Sequence, residues 1–351
     1  MKIASPSVPL PVWSDLYSAA LKVQMMRPWE VLDDLDLIGV RNSTTGDTGF
    51  GVFMGSGDTL FGFCLYRGAE GLDIYRRTIE GEVGREGDDL FAMQNCVKME
   101  LGPRGDMMPE DFAVMKQLGL SFKGKNAWPE FRSMLSGYAP WFLTEPEARF
   151  LTLGINAACL HHDRVRRGEV EESIRGNECL MYIPLEGSRT EFRSEWEPLL
   201  VYDKKPLKPP VLNLGVISSI KSKKLKPDTE WEVDSFYLPM PVMDRDRPYF
   251  ARTAVACQKA SGHVFDMSTG PPEVSQHQLL ADLICSAVQK AGLKPDLISL
   301  RGDESVDALT ALANVLNIAI RARDELSTIR ALKESMLAYM MGEEKGRRGR
   351  K

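Results

Sequence analysis

No sign of charge dominates this sequence. Lysine and arginine number 44 against 49 aspartates and glutamates, a net charge of −5. No global field therefore draws the chain to nucleic acid or to an anionic membrane surface. Long apolar runs are missing too, since none approaches the ~20 residues that cross a bilayer. No basic-then-apolar leader precedes a small-residue cleavage site, so a cytoplasmic protein with no membrane partner is expected. The six cysteines (Cys64, Cys96, Cys159, Cys179, Cys257 and Cys285) form no CxxC pair. Most sit inside apolar segments, as reduced buried thiols do. The four histidines do not fall at zinc spacing with them.

Catalytic signatures are absent as well. There is no GxSxG, no HExxH and no cysteine in a nucleophile motif. The glycines of GFGVFMGSGDTLFGF (49–63) are not followed by the Lys-Ser/Thr of a phosphate loop. They read as turn and close-packing positions between strands.

What the chain does contain is two well-patterned cores, within 351 residues that are 43% hydrophobic. Residues 1–10 read as a flexible lead-in. Trp13, Leu16, Ala20 and Val23 then mark one face of a first helix. Leu37–Val40, Phe50–Met54 and Leu60–Tyr66 are short apolar runs bounded by Gly, Asp and Ser, which makes a β-meander. A short helix follows over 69–78, then a Gly- and charge-rich loop over 81–89 and a strand at 96–101. Pro109 opens a helix with acidic residues in its first turn. Residues 121–143 read as an irregular, aromatic-pinned connection. Thr144 and Glu147 form a capping box for a long helix striped by Leu151, Ile155, Ala158 and Val165.

The polar stretch 166–178 reads as the bridge between modules. This divides the chain into an N-terminal module over 11–167, a linker over 168–178 and a C-terminal module over 179–341. A charged, disordered tail over 342–351 completes it. In the second module, strands are expected at 179–185 and 199–202. Seven lysines lie between Lys204 and Lys226, and this segment reads as a lysine-rimmed hairpin with a strand at 211–220. Strands at 231–242, 249–257 and 262–267, a helix at 274–291, a strand at 296–300, a helix at 304–316, a strand at 318–321 and a helix from 324 complete the order. The fold class is α+β: a meander flanked by helices, then a three-layer α/β domain with a mixed sheet.

Two groups of motifs carry a resemblance. PWEVLDDLDLIGV, MGSGDTLFGFCLYRG, KNAWPEFRS and PWFLTEPEARFL resemble an N-terminal module of bacterial proteins of uncharacterised function. SGHVFDMSTGPP and AGLKPDLISLRGDESVDAL resemble a companion module, equally unassigned. The resemblance implies a shared fold and supplies no activity.

The element order of the second module is similar to that of ribonuclease-H-like nucleases. Those enzymes hold divalent metals on carboxylates of the first strand, after the fourth strand and on a late helix. The corresponding candidates here are Asp234, Asp303 and Asp324 or Glu325, with Mg²⁺ or Mn²⁺ as the cofactor in that case only. Asp303 has a competing role at a helix start, where Asp is favoured. Asp33, Asp34 and Asp36 read as a solvated cluster. His161 and His162 point about 100° apart on their helix and read as core or helix-end residues, and His263 and His277 as surface or turn residues.

The expected function is a non-catalytic binding or adaptor protein without a cofactor, the alternative being a metal-dependent nuclease. A protein is the favoured partner. Trp128, Phe131, Tyr138, Trp141 and Phe142 are its candidate surface, with domain packing as the competing role. Nucleic acid is the second partner class, through Lys204–Lys226 and the basic tail Arg347–Lys351, although neither interleaves aromatics for stacking.

Overall fold

A computed structural model describes residues 8–57, 59–81, 90–203 and 208–348. The loop expected over 81–89 and the lead-in over 1–10 lie largely outside these. The chain forms two compact units, Met1–Val83 with Met93–Asp203, and Gly84–Ala92 with Lys204–Lys351. Each is mixed α and β.

In the first unit, α1 (Leu10–Met26) stops where Arg27 turns left-handed before Pro28. The meander follows as β1 (Ile38–Arg41), β2 (Thr48–Met54) and β3 (Phe61–Arg67), then α2 (Gly68–Ile79). The single turn α3 (Leu90–Met93), of which only Met93 falls in this unit, precedes β4 (Cys96–Gly102), α4 (Pro109–Gln117) and β5 (Trp128–Met134). Residues 121–143 are thus not wholly irregular: Trp128–Met134 pairs along β4, and Ser133 bridges to Trp141. The long helix is α5 (Glu145–Arg166), where Glu147 accepts the Thr144 N–H at 2.9 Å as the capping box requires.

The sequence-based boundary at 168–178 is corrected here. Residues β6 (Ile174–Arg175), β7 (Glu178–Pro184) and β8 (Phe192–Pro198) all join the first sheet, whose order is β5-β4-β3-β2-β1-β7-β6, with β8 also on β7. β7 runs parallel to β1. The strand expected at 199–202 is replaced by β8, and of that run only Leu199 reaches the core. α1 and α5 pack on one sheet face over Phe53, Phe63, Leu65 and Met99. The other face is buried around Phe50, Val52, Leu72 and Tyr75. Asp111, in the first turn of α4, takes both terminal nitrogens of the buried Arg132 on β5, at 3.0 and 2.7 Å, and the Met108 N–H at 3.0 Å.

The lysine-rich hairpin expected in the second unit is a helix, α6 (Leu214–Ser222). The side chain of Asn213 accepts the Val216 N–H at 3.1 Å, and Ile217 and Ile220 are buried at i, i+3 spacing. The cap and that spacing override the strand preference of the β-branched residues. Next come β9 (Lys226–Val242), β10 (Tyr249–Gln258), β11 (Val264–Gly270), α7 (Gln276–Ala291), β12 (Leu293–Arg301), α8 (Gly302–Leu316), β13 (Ala319–Arg323) and α9 (Ser327–Arg348). Residues 342–348 therefore continue a helix where a disordered tail was expected. Residues 349–351 lie outside the described set.

The second sheet runs β11-β10-β9-β12-β13. β10 is antiparallel to β9 and β11, while β9, β12 and β13 are mutually parallel. α6, α7 and α8 cover one face over Trp231, Val233, Ala254 and Ile298. On the other face, Leu326 and Ile329, at the start of α9, pack on Phe236, Val255 and Cys257. That is a three-layer arrangement.

Candidate functional site

Side chains alternate faces along a strand, so Glu230, Glu232 and Asp234 share the α9 face of β9 while Trp231 and Val233 enter the opposite core. Each of the three carboxylates is already engaged. Glu232, 2% exposed, accepts the backbone N–H groups of Thr328 at 2.9 Å and Ile329 at 3.2 Å. It caps the first turn of α9 from a neighbouring strand, supplying an acceptor and a charge where the helix leaves N–H groups unpaired. Asp234, 3% exposed, takes Nε and Nη2 of Arg301 at 2.8 and 2.7 Å. Burial raises its carboxyl above the usual range while the guanidinium pulls it the other way.

Glu230 is the third. Its Oε1 accepts from Ser299 Oγ at 2.7 Å, from Lys259 Nζ at 3.0 Å and from Arg321 Nη2. Burial works to raise this carboxyl, but hydrogen bonds from Ser299, Arg321 and Lys259 outweigh it and hold it at about 2. Arg321 Nε also donates to Ser299 Oγ at 3.1 Å. The register makes this network: Ser299 on β12 lies opposite Glu232 on one side and Arg321 on the other.

The other acidic candidates do not join Asp234. Asp303 lies exposed in the first turn of α8, two residues beyond the N-cap Arg301, where it complements the helix dipole. Asp324 is exposed in the connection before α9, and Glu325 forms a surface pair with Arg330. Among the described residues, no three His, Cys, Asp or Glu side chains are arranged to hold a metal ion. The residues present do not fit a divalent pair, because the position facing Asp234 at the end of β12 is Arg301, whose cation already fills the carboxylate's vicinity.

Residues 13–182 match a family described as a domain of unknown function (DUF7309), and residues 216–337 match a second domain of unknown function (DUF6930). The chain is a two-module protein of these two domains. No curated protein matches it. The β9 network lies wholly within the DUF6930 module.

The candidate aromatic surface in the DUF7309 module is corrected by burial. Phe131, Trp141 and Phe142 are buried, with Phe131 edge-on to Tyr17 at 5.0 Å between ring centroids. Trp128 and Tyr138 are half-buried, and Trp128 packs against Phe112 and Phe122. Phe131 enters the core from β5, Trp128 packs at the start of that strand, and Trp141 returns to bridge it at Ser133.

The histidines behave similarly. His161, 1% exposed, places Nδ1 3.0 Å from Tyr182 Oη, and burial first, then Arg164, pushes its pKa down to about 4. His162 is equally buried, with Nδ1 3.4 Å from Asp163. His277, expected at the surface, is instead buried in α7. Glu230 and Glu232 escaped the sequence reading, although the acidic period of two in EWEVD was a signal for them.

Proposed function

We infer that this chain is a non-catalytic binding protein of the bacterial cytoplasm, whose DUF6930 module uses a ribonuclease-H-like sheet as a platform. The strand order 3-2-1-4-5, with the first, fourth and fifth strands parallel, supports that likeness. The observation that carries the reading is the Asp234–Arg301 pair. A carboxylate that would ligate a metal in such a sheet is here neutralised by the chain's own guanidinium. Among the described residues, no helix is long and apolar enough to cross a membrane.

The same strand order favours a second reading, a Mg²⁺- or Mn²⁺-dependent nuclease using Asp234, Asp303 and Asp324 or Glu325. Thermal unfolding of the full chain with and without Mn²⁺ separates the two. A native-state metal at a hundredfold excess over its Kd adds about 2.7 kcal/mol of stability. The binding reading expects no shift. A saturable shift that disappears in Asp234→Asn overturns it in favour of the nuclease.

The partner is proposed to be a protein with an acidic contact segment, nucleic acid being the second class. Lys221, Lys223, Lys224 and Lys294 line a cavity of about 610 Å³ beside the end of α6, and none is paired with a carboxylate among the described residues. Lys221, in the last turn of α6, also complements that helix C-terminus. Titration with an acidic peptide and with a labelled oligonucleotide at two salt concentrations identifies the class, because phosphate contacts make affinity fall steeply with salt. Binding of neither would remove this surface from the reading.

A further inference from the structure

The first unit holds a second feature, unrelated to the acidic strand. β1 ends at Arg41 and β7 at Pro184, and these two strands run parallel. β2, β6 and β8 are antiparallel to the strands beside them. Beyond the carboxyl ends of this pair opens a cleft of about 820 Å³, walled by the Asn42–Thr45 turn, the Leu185–Arg189 turn and residues of α1 and α5. In sheets carrying parallel strands, ligand crevices lie outside the carboxyl ends, where the connections diverge. The volume falls in the ~300–1,000 Å³ range of small-molecule sites.

The walls are tied down. Asn42 donates its N–H to the Asp47 carbonyl at 2.8 Å and accepts the Thr44 N–H on its side chain at 3.0 Å. Ser188 Oγ accepts the Glu191 N–H at 3.0 Å, and the Asn156 side chain of α5 donates to the Arg189 carbonyl at 3.2 Å. The buried side of the cleft is aliphatic, with Val12, Leu153 and Ile183 nearly inaccessible. No aromatic ring lines it among the described residues.

Its rim carries three guanidiniums, Arg149, Arg189 and Arg193, whose side chains are 43%, 61% and 57% exposed. Each rests on a surface carboxylate: Glu145 at 2.6 Å, Asp15, and Glu195 at 2.7 Å. Ion pairs this exposed add little to stability. A ligand carboxylate or phosphate can therefore take over a guanidinium in a bidentate, charge-assisted contact at small loss. A neutral ligand would leave the rim unused, and a nucleotide base would find no ring to stack on.

We propose that this cleft binds a small organic anion with an aliphatic body, its carboxylate or phosphate held by Arg189 and Arg193 and its chain laid over Leu153 and Ile183. The test is calorimetric titration of the full chain with octanoate, octyl phosphate, octan-1-ol and inorganic phosphate. Saturable binding of octanoate or octyl phosphate at one site per chain is expected, and the tighter of the two identifies the headgroup. Octanol and inorganic phosphate should each bind at least tenfold more weakly. The double variant Arg189→Ala/Arg193→Ala, whose replaced side chains are exposed, should unfold at the parent temperature and lose at least tenfold in affinity. Octanol binding as tightly as the anions, undiminished binding by the double variant, or no saturable heat with either amphiphilic anion overturns the proposal.

Discussion

Arg301 and Asp234 meet from adjacent parallel strands, the guanidinium donating twice to one oxygen at 2.8 and 2.7 Å. The two side chains differ in exposure, 30% for Arg301 against 3% for Asp234. The arginine is thus reached by water while the carboxylate is not, and the pair is asymmetric. Losing the arginine strands a buried charge, whereas losing the aspartate releases a cation that solvent can take up.

Arg301→Met should therefore be the costlier substitution, by about 3–5 kcal/mol in urea unfolding, because an uncompensated carboxylate remains in the core. Asp234→Asn should cost clearly less. The double variant should recover most of the loss, since neither charge is then unmatched. A cost below about 1 kcal/mol for Arg301→Met would show that water satisfies Asp234 and that the pair is not what holds it.

Glu232 links strand to helix across 96 residues of sequence. Hydrogen bonds to a charged group contribute roughly 1.5–3 kcal/mol in favourable cases. The two here share one carboxylate oxygen, so Glu232→Ala should destabilise the DUF6930 module by at least about 1.5–3 kcal/mol. The loss should be local. Hydrogen exchange in the first turns of α9, around Thr328 and Ile329, should accelerate before that of β9 or β12. Unchanged exchange there would remove the capping role.

These two contacts mark where the sequence is legible and where it is not. The β1–β3 meander follows from short apolar runs bounded by turn residues, and α7 and α8 from period-3.6 patterns, signals that each segment carries locally. β7 does not: its buried run CLMYI reads as a strand, but nothing in it says that it pairs with β1, 142 residues earlier at the Cys179–Leu37 contact. The polar residues before it therefore passed for a linker. α6 carries β-branched residues that favour a strand, and a single Asn cap is its local sign of a helix. Asp234 was found from element order, yet its partner is an arginine that no acidic motif could point to. Glu232 was missed because its ligand is a helix N-terminus, which has no residue type.

Acid should unfold the two modules over different ranges. His161 is held neutral, at about 4 against its ordinary 6.5. The unfolded chain binds the proton more readily, so the stability His161 contributes is full above pH 6.5 and is lost as pH falls through about 4. Glu230 is held at about 2 against 4.5. Its contribution is full above pH 4.5 and declines as pH falls towards 2. Stability measured against pH should lose slope between 6.5 and 4 in His161→Gln, and between 4.5 and 2 in Glu230→Gln. A slope unaltered in either window would mean that other groups carry it.

Close approach of two strands gives the sharpest packing prediction. At Gly62 on β3 an added Cβ would lie 2.2 Å from the Met99 carbonyl oxygen and 3.0 Å from the Glu100 Cα, both backbone atoms of β4. Backbone cannot move aside as a flexible side chain can, so Gly62→Ala must push the two strands apart. Overpacking of this kind typically costs about 1–3 kcal/mol, and more where the obstacle is rigid. At Gly102, at the end of β4 in the same sheet, an added Cβ would meet no neighbouring atom within 4 Å. Gly102→Ala should then stay within about 0.5 kcal/mol of the parent. Chemical denaturation of both variants compares crowding with its absence in one sheet. Equal stabilities would mean that β3 and β4 pair less tightly than their register implies.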